Sequence, residues 1–148
     1  MKSFIRPLSL AFFAFAFLVP SLRAAPIHIV AYGDSGVYGK GVARNETYPA
    51  QLERMLRAKG YDVTVTNAGV NGRTSADAVA DLGSVGKADV VIVQFGVNDA
   101  KHGVPIATIR QNMDAVVTKL KNRGSAVLVV SHPAADLCSV ASSHGCPT

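Results

Sequence analysis

The chain has 148 residues, of which 49% are hydrophobic and 17% charged, and its formal net charge is +5. Its lysines and arginines form no run and are not interleaved with aromatic residues, so nucleic acid is not an expected partner. The length suits one domain with one hydrophobic core.

The first 24 residues are predicted to be a secretory signal peptide. They combine the basic residues Lys2 and Arg6 with an apolar run over residues 8–19 and small residues at Ala24 and Ala25. That run is too short for the roughly 20 apolar residues that cross a bilayer. We therefore expect cleavage near Ala24, no stable membrane span afterwards, and a periplasmic or secreted protein. Loss of three basic residues would leave 12 Lys and Arg against 10 Asp and Glu, a net charge of +2.

The first half of the remaining chain predicts two strands around a helix. Residues 27–32 are mostly apolar and β-prone, which indicates a buried strand. Apolar side chains at helical spacing predict a helix over residues 48–59, with Thr47 as its cap and Gly60 as its end. Residues 63–66 form a shorter and more polar strand, which suits a sheet edge.

The second half repeats this alternation twice. A capping-box pattern at residues 74–77 opens a helix that ends near Gly83. Residues 89–95 predict a central strand covered on both faces, since four consecutive residues are β-branched. A third helix follows Pro105, and residues 126–130 form a fourth strand. The order predicts an α/β fold with a parallel sheet and helices on both faces.

Three short blocks follow the first three strands, at the edge where such sheets bind ligands. They are GDSG at residues 33–36, NAGVNGRT at 67–74 and GVND at 96–99. Ser35 supplies a hydroxyl at a glycine-rich turn whose glycines permit a tight or positive-φ backbone. The Gly72 amide and the Asn98 side-chain NH₂ could both donate to a developing oxyanion. Together these groups predict an acyl-transfer site.

The order of these blocks resembles the GDSL or SGNH hydrolases, in particular their secreted arylesterase, thioesterase I and lysophospholipase branch. The resemblance covers residues 27–131 and implies a flavodoxin-like three-layer α/β/α sandwich. It implies that Ser35 is the nucleophile of an acyl-enzyme mechanism, with Gly72 and Asn98 in the oxyanion hole. The substrate would be a small acyl ester or thioester, and no cofactor or metal is expected.

Two features depart from the family pattern. Gly36 stands where the family usually has Leu, and no Asp-x-x-His motif follows Ser131. We therefore expect a C-terminally truncated hydrolase domain over residues 25–131, lacking its last strand and helix, then an irregular tail over 132–148. His132 and His144 are the candidate replacement bases. Without a base the serine is a poor nucleophile, so little turnover is expected.

Several alternatives stay open. The same fold could form a non-catalytic domain that binds a carbohydrate or acyl group. A nucleotide-binding domain is disfavoured, because the glycines after the first strand form neither a dinucleotide fingerprint nor a phosphate loop. Cys138 and Cys146 could form a disulfide in an oxidising compartment or remain free thiols. The sequence does not predict an oligomeric state, and a sheet that ends after four strands predicts a marginally stable, aggregation-prone product.

Overall fold

The computed structural model describes residues 25–130, which form a four-stranded parallel sheet flanked by helices. The strands are ordered β2-β1-β3-β4 across the sheet. In chain order the elements are β1 (Ile27–Gly33), α1 (Ser35–Tyr38), α2 (Tyr48–Ala58), β2 (Val63–Gly69), α3 (Ser75–Ala80), β3 (Val90–Gln94), α4 (Val97–Lys101), α5 (Ile106–Asn122) and β4 (Ala126–Val129). The predicted α/β fold with a parallel sheet is confirmed.

Alternation of side chains along the strands produces a core on each face of the sheet. One face packs beneath α3 and α5, and its buried residues include Val91, Val93 and Met113. The other face packs beneath α2 around Ile29 and Ile92. Because β3 lies between β1 and β4 and contributes to both cores, the prediction of a central strand covered on both faces is confirmed.

The helix boundaries follow local sequence signals. In α3 the Thr74 hydroxyl accepts a hydrogen bond from the Asp77 amide, and the Asp77 carboxylate accepts one from the Thr74 amide, which confirms the capping box. Gly60 adopts φ +89°, a left-handed conformation that suits glycine and ends α2. Thr47 is the N-cap residue of α2, as predicted. Its carbonyl accepts the Gln51 amide, whereas its hydroxyl donates to the Arg44 carbonyl and makes no capping bond.

The structure adds elements that the sequence pattern did not predict. Helices α1 and α4 have only four and five residues, which is too short for an apolar period to register. Strand β2 continues to Gly69 because its polar second half pairs in register with β1, with Gly69 opposite Gly33. Its position at the sheet edge agrees with the sequence prediction.

The longest helix in residues 25–130 is α5, with 17 residues, and no helix in this range has the length and apolar character of a membrane span. The predicted signal peptide over residues 1–24 lies outside the described residues. The same holds for the tail over 132–148, with its two cysteines and two candidate histidines.

Candidate active site

Hydrogen bonds join the first, second and third blocks at the carboxyl end of the sheet. The Val70 amide, just after β2, donates to the Gly33 carbonyl at the end of β1 (3.0 Å). The Asp34 amide donates to the Gln94 carbonyl at the end of β3 (3.3 Å). The backbone segments that carry Ser35, Gly72 and Asn98 are thus tied together at one edge.

The first block is a short turn that Asp34 organises. Asp34 is the N-cap of α1, and its Oδ1 accepts a hydrogen bond from the Gly36 amide at 2.9 Å. Ser35 is the first residue of α1 and is half-buried. Its position at the helix start leaves its own backbone N–H outside the intrahelical hydrogen-bond pattern. One short turn therefore presents a hydroxyl and an amide together.

Two buried polar groups, the Asp34 carboxylate and the Tyr48 hydroxyl, lie at this turn. Asp34 is 3% exposed, and its Oδ2 and the Tyr48 hydroxyl are buried atoms without a hydrogen-bond partner among residues 25–130. Burial raises the pKa of Tyr48 from 10.0 to about 12, and the nearby Asp34 carboxylate adds to this. Tyr48 begins α2, so the electrostatic interaction between Asp34 and Tyr48 connects the first block with the helix over β2.

Crowding favours glycine at the strand ends. Neither Gly33 nor Gly36 has a positive φ, so of the two predicted alternatives the structure shows the tight backbone. A Cβ on Gly33 would lie 2.5 Å from the Gln94 carbonyl oxygen, and one on Gly36 would lie 2.7 Å from Gln94 Nε2. On β2, a Cβ on Gly69 would lie 2.1 Å from the Tyr38 backbone nitrogen. The strand ends are therefore packed too closely for side chains.

The second block forms an open loop. Gly72 is exposed with φ +80°, and no atom lies within 4 Å of the position its Cβ would take. A cavity of about 400 Å³ adjoins it. The cavity is lined by Asn71, Gly72, Arg73, Asp77, Ala80 and Asp81. The loop thus places a side-chain-free backbone beside a space large enough for a small ligand.

Arg73 anchors this loop through its side chain and its backbone. Its guanidinium forms an ion pair with Asp81 and lies 5.7 Å from the centre of the Tyr32 ring. The Tyr32 hydroxyl donates to the Ala78 carbonyl at 2.9 Å. Burial raises the pKa of Tyr32 to about 12, although the Arg73 charge opposes that shift. The loop is therefore held against buried groups of β1 and α3.

Asn98 in the third block contacts the second block directly. Gly96, with φ +116°, begins α4, and Asn98 is the second residue of that helix and 9% exposed. Its Nδ2 donates to the Arg73 carbonyl at 2.8 Å. Because a side-chain amide has two N–H groups, this bond uses one and orients the other.

The neighbouring Asp99 was missed by sequence reasoning, although it belongs to the same GVND block. It is 1% exposed and accepts hydrogen bonds from the Ser75 amide and hydroxyl. Ser75 directly follows the capping residue of α3. The available signal was an acidic residue next to Asn98, in the short segment that follows a strongly apolar central strand.

The histidines in the described range do not supply a general base that the structure pairs with Ser35. His28 lies near the start of β1, where its ring contacts the Lys87 carbonyl and the Thr66 hydroxyl. Five residues of strand separate it from Gly33, roughly 17 Å. His102 is exposed at the end of α4. His28 therefore lies away from the edge of the sheet that carries Ser35.

Residues 25–130 contain no group of three His, Cys, Asp or Glu side chains arranged to hold a metal ion. The chemistry available at this edge is a hydroxyl with neighbouring amide donors.

Comparison with known proteins points to one family. The GDSL-like lipase/acylhydrolase family matches residues 31–145. Esterase TesA of Pseudomonas aeruginosa is 30% identical over 118 residues, which is 78% of this chain and 59% of that protein. An arylesterase of Vibrio mimicus is 29% identical over 129 residues, covering 85% of this chain and 63% of the relative. The chain therefore spans about 60% of the length of these relatives.

Solved structures agree with these matches. AlinE4, an SGNH-hydrolase family esterase, has 33% sequence identity and a TM-score of 0.65, covering 72% of this chain and 59% of AlinE4. A crystal structure of TesA has 26% identity and a TM-score of 0.68, covering 78% of this chain and 71% of TesA. Its sheet and helices thus follow the three-layer SGNH hydrolase fold, and the chain belongs to the GDSL-like lipase/acylhydrolase family.

Proposed function

We propose that this protein is a serine esterase that hydrolyses small carboxylic esters or thioesters at the carboxyl edge of its sheet. The observation that carries the proposal is the hydrogen-bonded junction of the three blocks, above all the bond from Asn98 Nδ2 to the Arg73 carbonyl beside Gly72. The esterase names of its relatives support the same reaction class.

In the proposed mechanism, Ser35 Oγ attacks the carbonyl carbon of the substrate and loses its proton to a general base. The Ser35 and Gly72 amides and the second N–H of Asn98 stabilise the oxyanion. Collapse of the tetrahedral intermediate breaks the bond to the alcohol or thiol, which leaves with a proton. Water then attacks the acyl-enzyme, releases the carboxylic acid and restores the serine.

The general base would come from outside residues 25–130. His132 and His144 are the candidates within the given sequence, and residues of a longer chain are the other source. The sequence has no Asp-x-x-His after Ser131, so we expect the 148-residue chain to hydrolyse esters slowly. We also propose that residues 1–24 direct export to the periplasm or medium, as their signal-peptide pattern indicates.

The test compares Ser35→Ala with Ser125→Ala, which removes a buried serine hydroxyl near the start of β4. Hydrolysis of p-nitrophenyl butyrate and butyryl-coenzyme A would be followed at high protein concentration. We expect Ser35→Ala to reduce both rates to the uncatalysed level, Asn98→Ala to lower them by roughly 10²–10³, and Ser125→Ala to retain them. Equal rates in wild type and Ser35→Ala would overturn the proposal.

Phenylboronic acid provides a second readout, because it forms a reversible tetrahedral adduct with an accessible serine oxygen. We expect the wild-type chain to bind it and Ser35→Ala not to bind. Binding of acyl chains or oligosaccharides that Ser35→Ala leaves unchanged, without any turnover, would favour the non-catalytic binding domain instead.

A further inference from the structure

We propose that Asp99 is a positioning residue, which holds the loop carrying Gly72 in a fixed relation to the Asn98 amide. The proposal rests on the serine esterase function proposed above. It assigns a role to a buried carboxylate that the mechanism itself does not use.

The Asp99 carboxylate is enclosed and engaged on both oxygens. The Ser75 amide lies 2.8 Å from Oδ2 and 3.1 Å from Oδ1, and the Ser75 hydroxyl donates to Oδ1 at 2.6 Å. Asp99 and Ser75 are 1% and 0% exposed. Burying a carboxylate is costly unless hydrogen bonds compensate it, so this contact is specific and rigid.

A third element closes the network. Asn112 on α5 donates from Nδ2 to the Ser75 hydroxyl at 2.9 Å. The Ser75 hydroxyl therefore accepts one hydrogen bond from Asn112 on α5, and the Ser75 amide and hydroxyl both donate to Asp99 on α4. The start of α3 is consequently fixed to both neighbouring helices.

The network is coupled to the oxyanion donors through chain connectivity. Arg73 in the loop and Ser75 at the start of α3 lie two residues apart, and they bond to the adjacent residues Asn98 and Asp99 of α4. The other end of the loop is tied to β1 by the bond from Val70 to Gly33. Gly72 lies between these attachments. Its amide can keep a constant direction only while both ends hold.

A carboxylate suits this position better than an amide would. It accepts an N–H and an O–H at the same time without presenting a donor to either. In Asp99→Asn, Oδ1 can still accept from the Ser75 amide, but Nδ2 would face the remaining Ser75 group. We therefore expect partial loosening in Asp99→Asn and greater loosening in Ser75→Ala, which removes both the hydroxyl donor and the acceptor for Asn112.

The experiment compares the full-length chain with its Ser75→Ala, Asp99→Asn and Ser125→Ala variants. Ser125→Ala is the matched control, because its hydroxyl donates one buried bond to the Ala88 carbonyl at 2.7 Å, near the opposite end of the sheet. Two quantities are measured in the free protein: amide hydrogen exchange at Val70 and Arg73, whose hydrogen-bonded N–H groups lie on either side of Gly72, and the dissociation constant for phenylboronic acid.

We expect Ser75→Ala to raise exchange at Val70 and Arg73 by roughly tenfold and to weaken boronate binding by a similar factor, with Asp99→Asn intermediate. Ser125→Ala should leave both quantities near wild type, although its melting temperature falls by a comparable amount. A purely structural role for Asp99 predicts that the two serine variants change exchange and affinity equally, and that result would overturn the proposal.

The two proposals can fail separately. If boronate does not bind, or binds Ser35→Ala equally well, the esterase proposal fails while exchange still reports on the loop. If boronate binds through Ser35 and exchange at Val70 and Arg73 is the same in Ser75→Ala and Ser125→Ala, the positioning role fails alone.

Discussion

The two edges of the sheet are protected very differently. At β2, side chains of α2 cover the outer backbone groups: Glu53 accepts a hydrogen bond from the Val65 amide at 2.7 Å, and Arg57 donates to the Val63 carbonyl at 2.8 Å. At β4, Leu128 is 51% exposed, and no further strand within residues 25–130 pairs with this edge. Side chains of α2 bond to the outer edge of β2, whereas no strand of residues 25–130 lies beyond β4.

This difference shows how an edge strand with polar side chains becomes stable. Strand β2 has threonines and an asparagine, yet two charged residues of α2 satisfy its backbone. Strand β4 is entirely apolar, but no helix of residues 25–130 covers Leu128 in this way. Protection depends on what packs against the edge, and strand hydrophobicity alone does not provide it.

The largest expected effect on stability comes from truncating an apolar side chain on β2, and the matching truncation on β4 is its comparison. Val63→Ala removes a side chain that is 1% exposed, and we expect it to lower the free energy of unfolding by about 2 kcal/mol. Leu128→Ala removes a larger but half-exposed side chain and should cost less than about 1 kcal/mol. Urea denaturation measures both. Equal costs would mean that β4 is covered in solution.

Removing the cap on β2 should have a smaller effect. Glu53→Ala leaves the Val65 amide without its acceptor, and we expect a loss of about 1 kcal/mol by thermal denaturation. Glu53→Gln keeps an acceptor and should lose less. The ion pair between Glu53 and Arg57 is partly exposed and contributes little to stability. If Glu53→Gln were as unstable as Glu53→Ala, that would contradict a stabilising hydrogen bond from the Val65 amide to Glu53.

Self-association of the chain tests whether the outer edge of β4 is open to pairing. We expect the chain to self-associate with rising concentration, and Leu128→Lys to reduce this with little change in stability, because a charge disfavours pairing of strand edges. Thr64→Lys on the exposed surface of β2 is the matched control and should not change association. Sedimentation velocity distinguishes the two. A similar decrease in both variants would point to general charge repulsion.

The smallest effect concerns Tyr48, which begins the helix that covers β2. Its pKa is raised to about 12 in the folded protein, so its contribution to stability is complete below pH 10 and is lost as the pH rises towards 12. Tyr48→Phe should leave the melting temperature at pH 7 nearly unchanged and flatten its decline above pH 10. Tyr32→Phe, which loses the bond to Ala78, should cost about 1 kcal/mol at pH 7.

Sequence reasoning performed best where a local signal decides the structure. The strands, the order of elements and the Thr74–Asp77 capping box follow from side-chain period and cap chemistry. It failed where tertiary contacts decide. Nothing local to Gly33 or Gly36 indicates that Gln94 approaches them from β3.

The candidate site shows the same limit. Ser35, Gly72 and Asn98 could be named because the order of the three blocks carries a family resemblance, and their catalytic roles remain predictions. The contact between Asn98 and the Arg73 carbonyl, and that between Asp99 and Ser75, join residues 24 or 25 positions apart. Such pairings follow from strand order and loop path, which a single sequence does not specify.

The bond from Asn98 to the Arg73 carbonyl has a thermodynamic consequence. An unbound side-chain amide would lose rotational freedom when it first meets a ligand. Here the Asn98 side chain loses its rotational entropy during folding, and its N–H dipole is oriented before a ligand arrives. The substrate therefore meets a donor that already has a fixed direction. Ligand capture at this edge should accordingly show a small entropic penalty, and Arg73, through its carbonyl alone, should influence that penalty without touching the ligand.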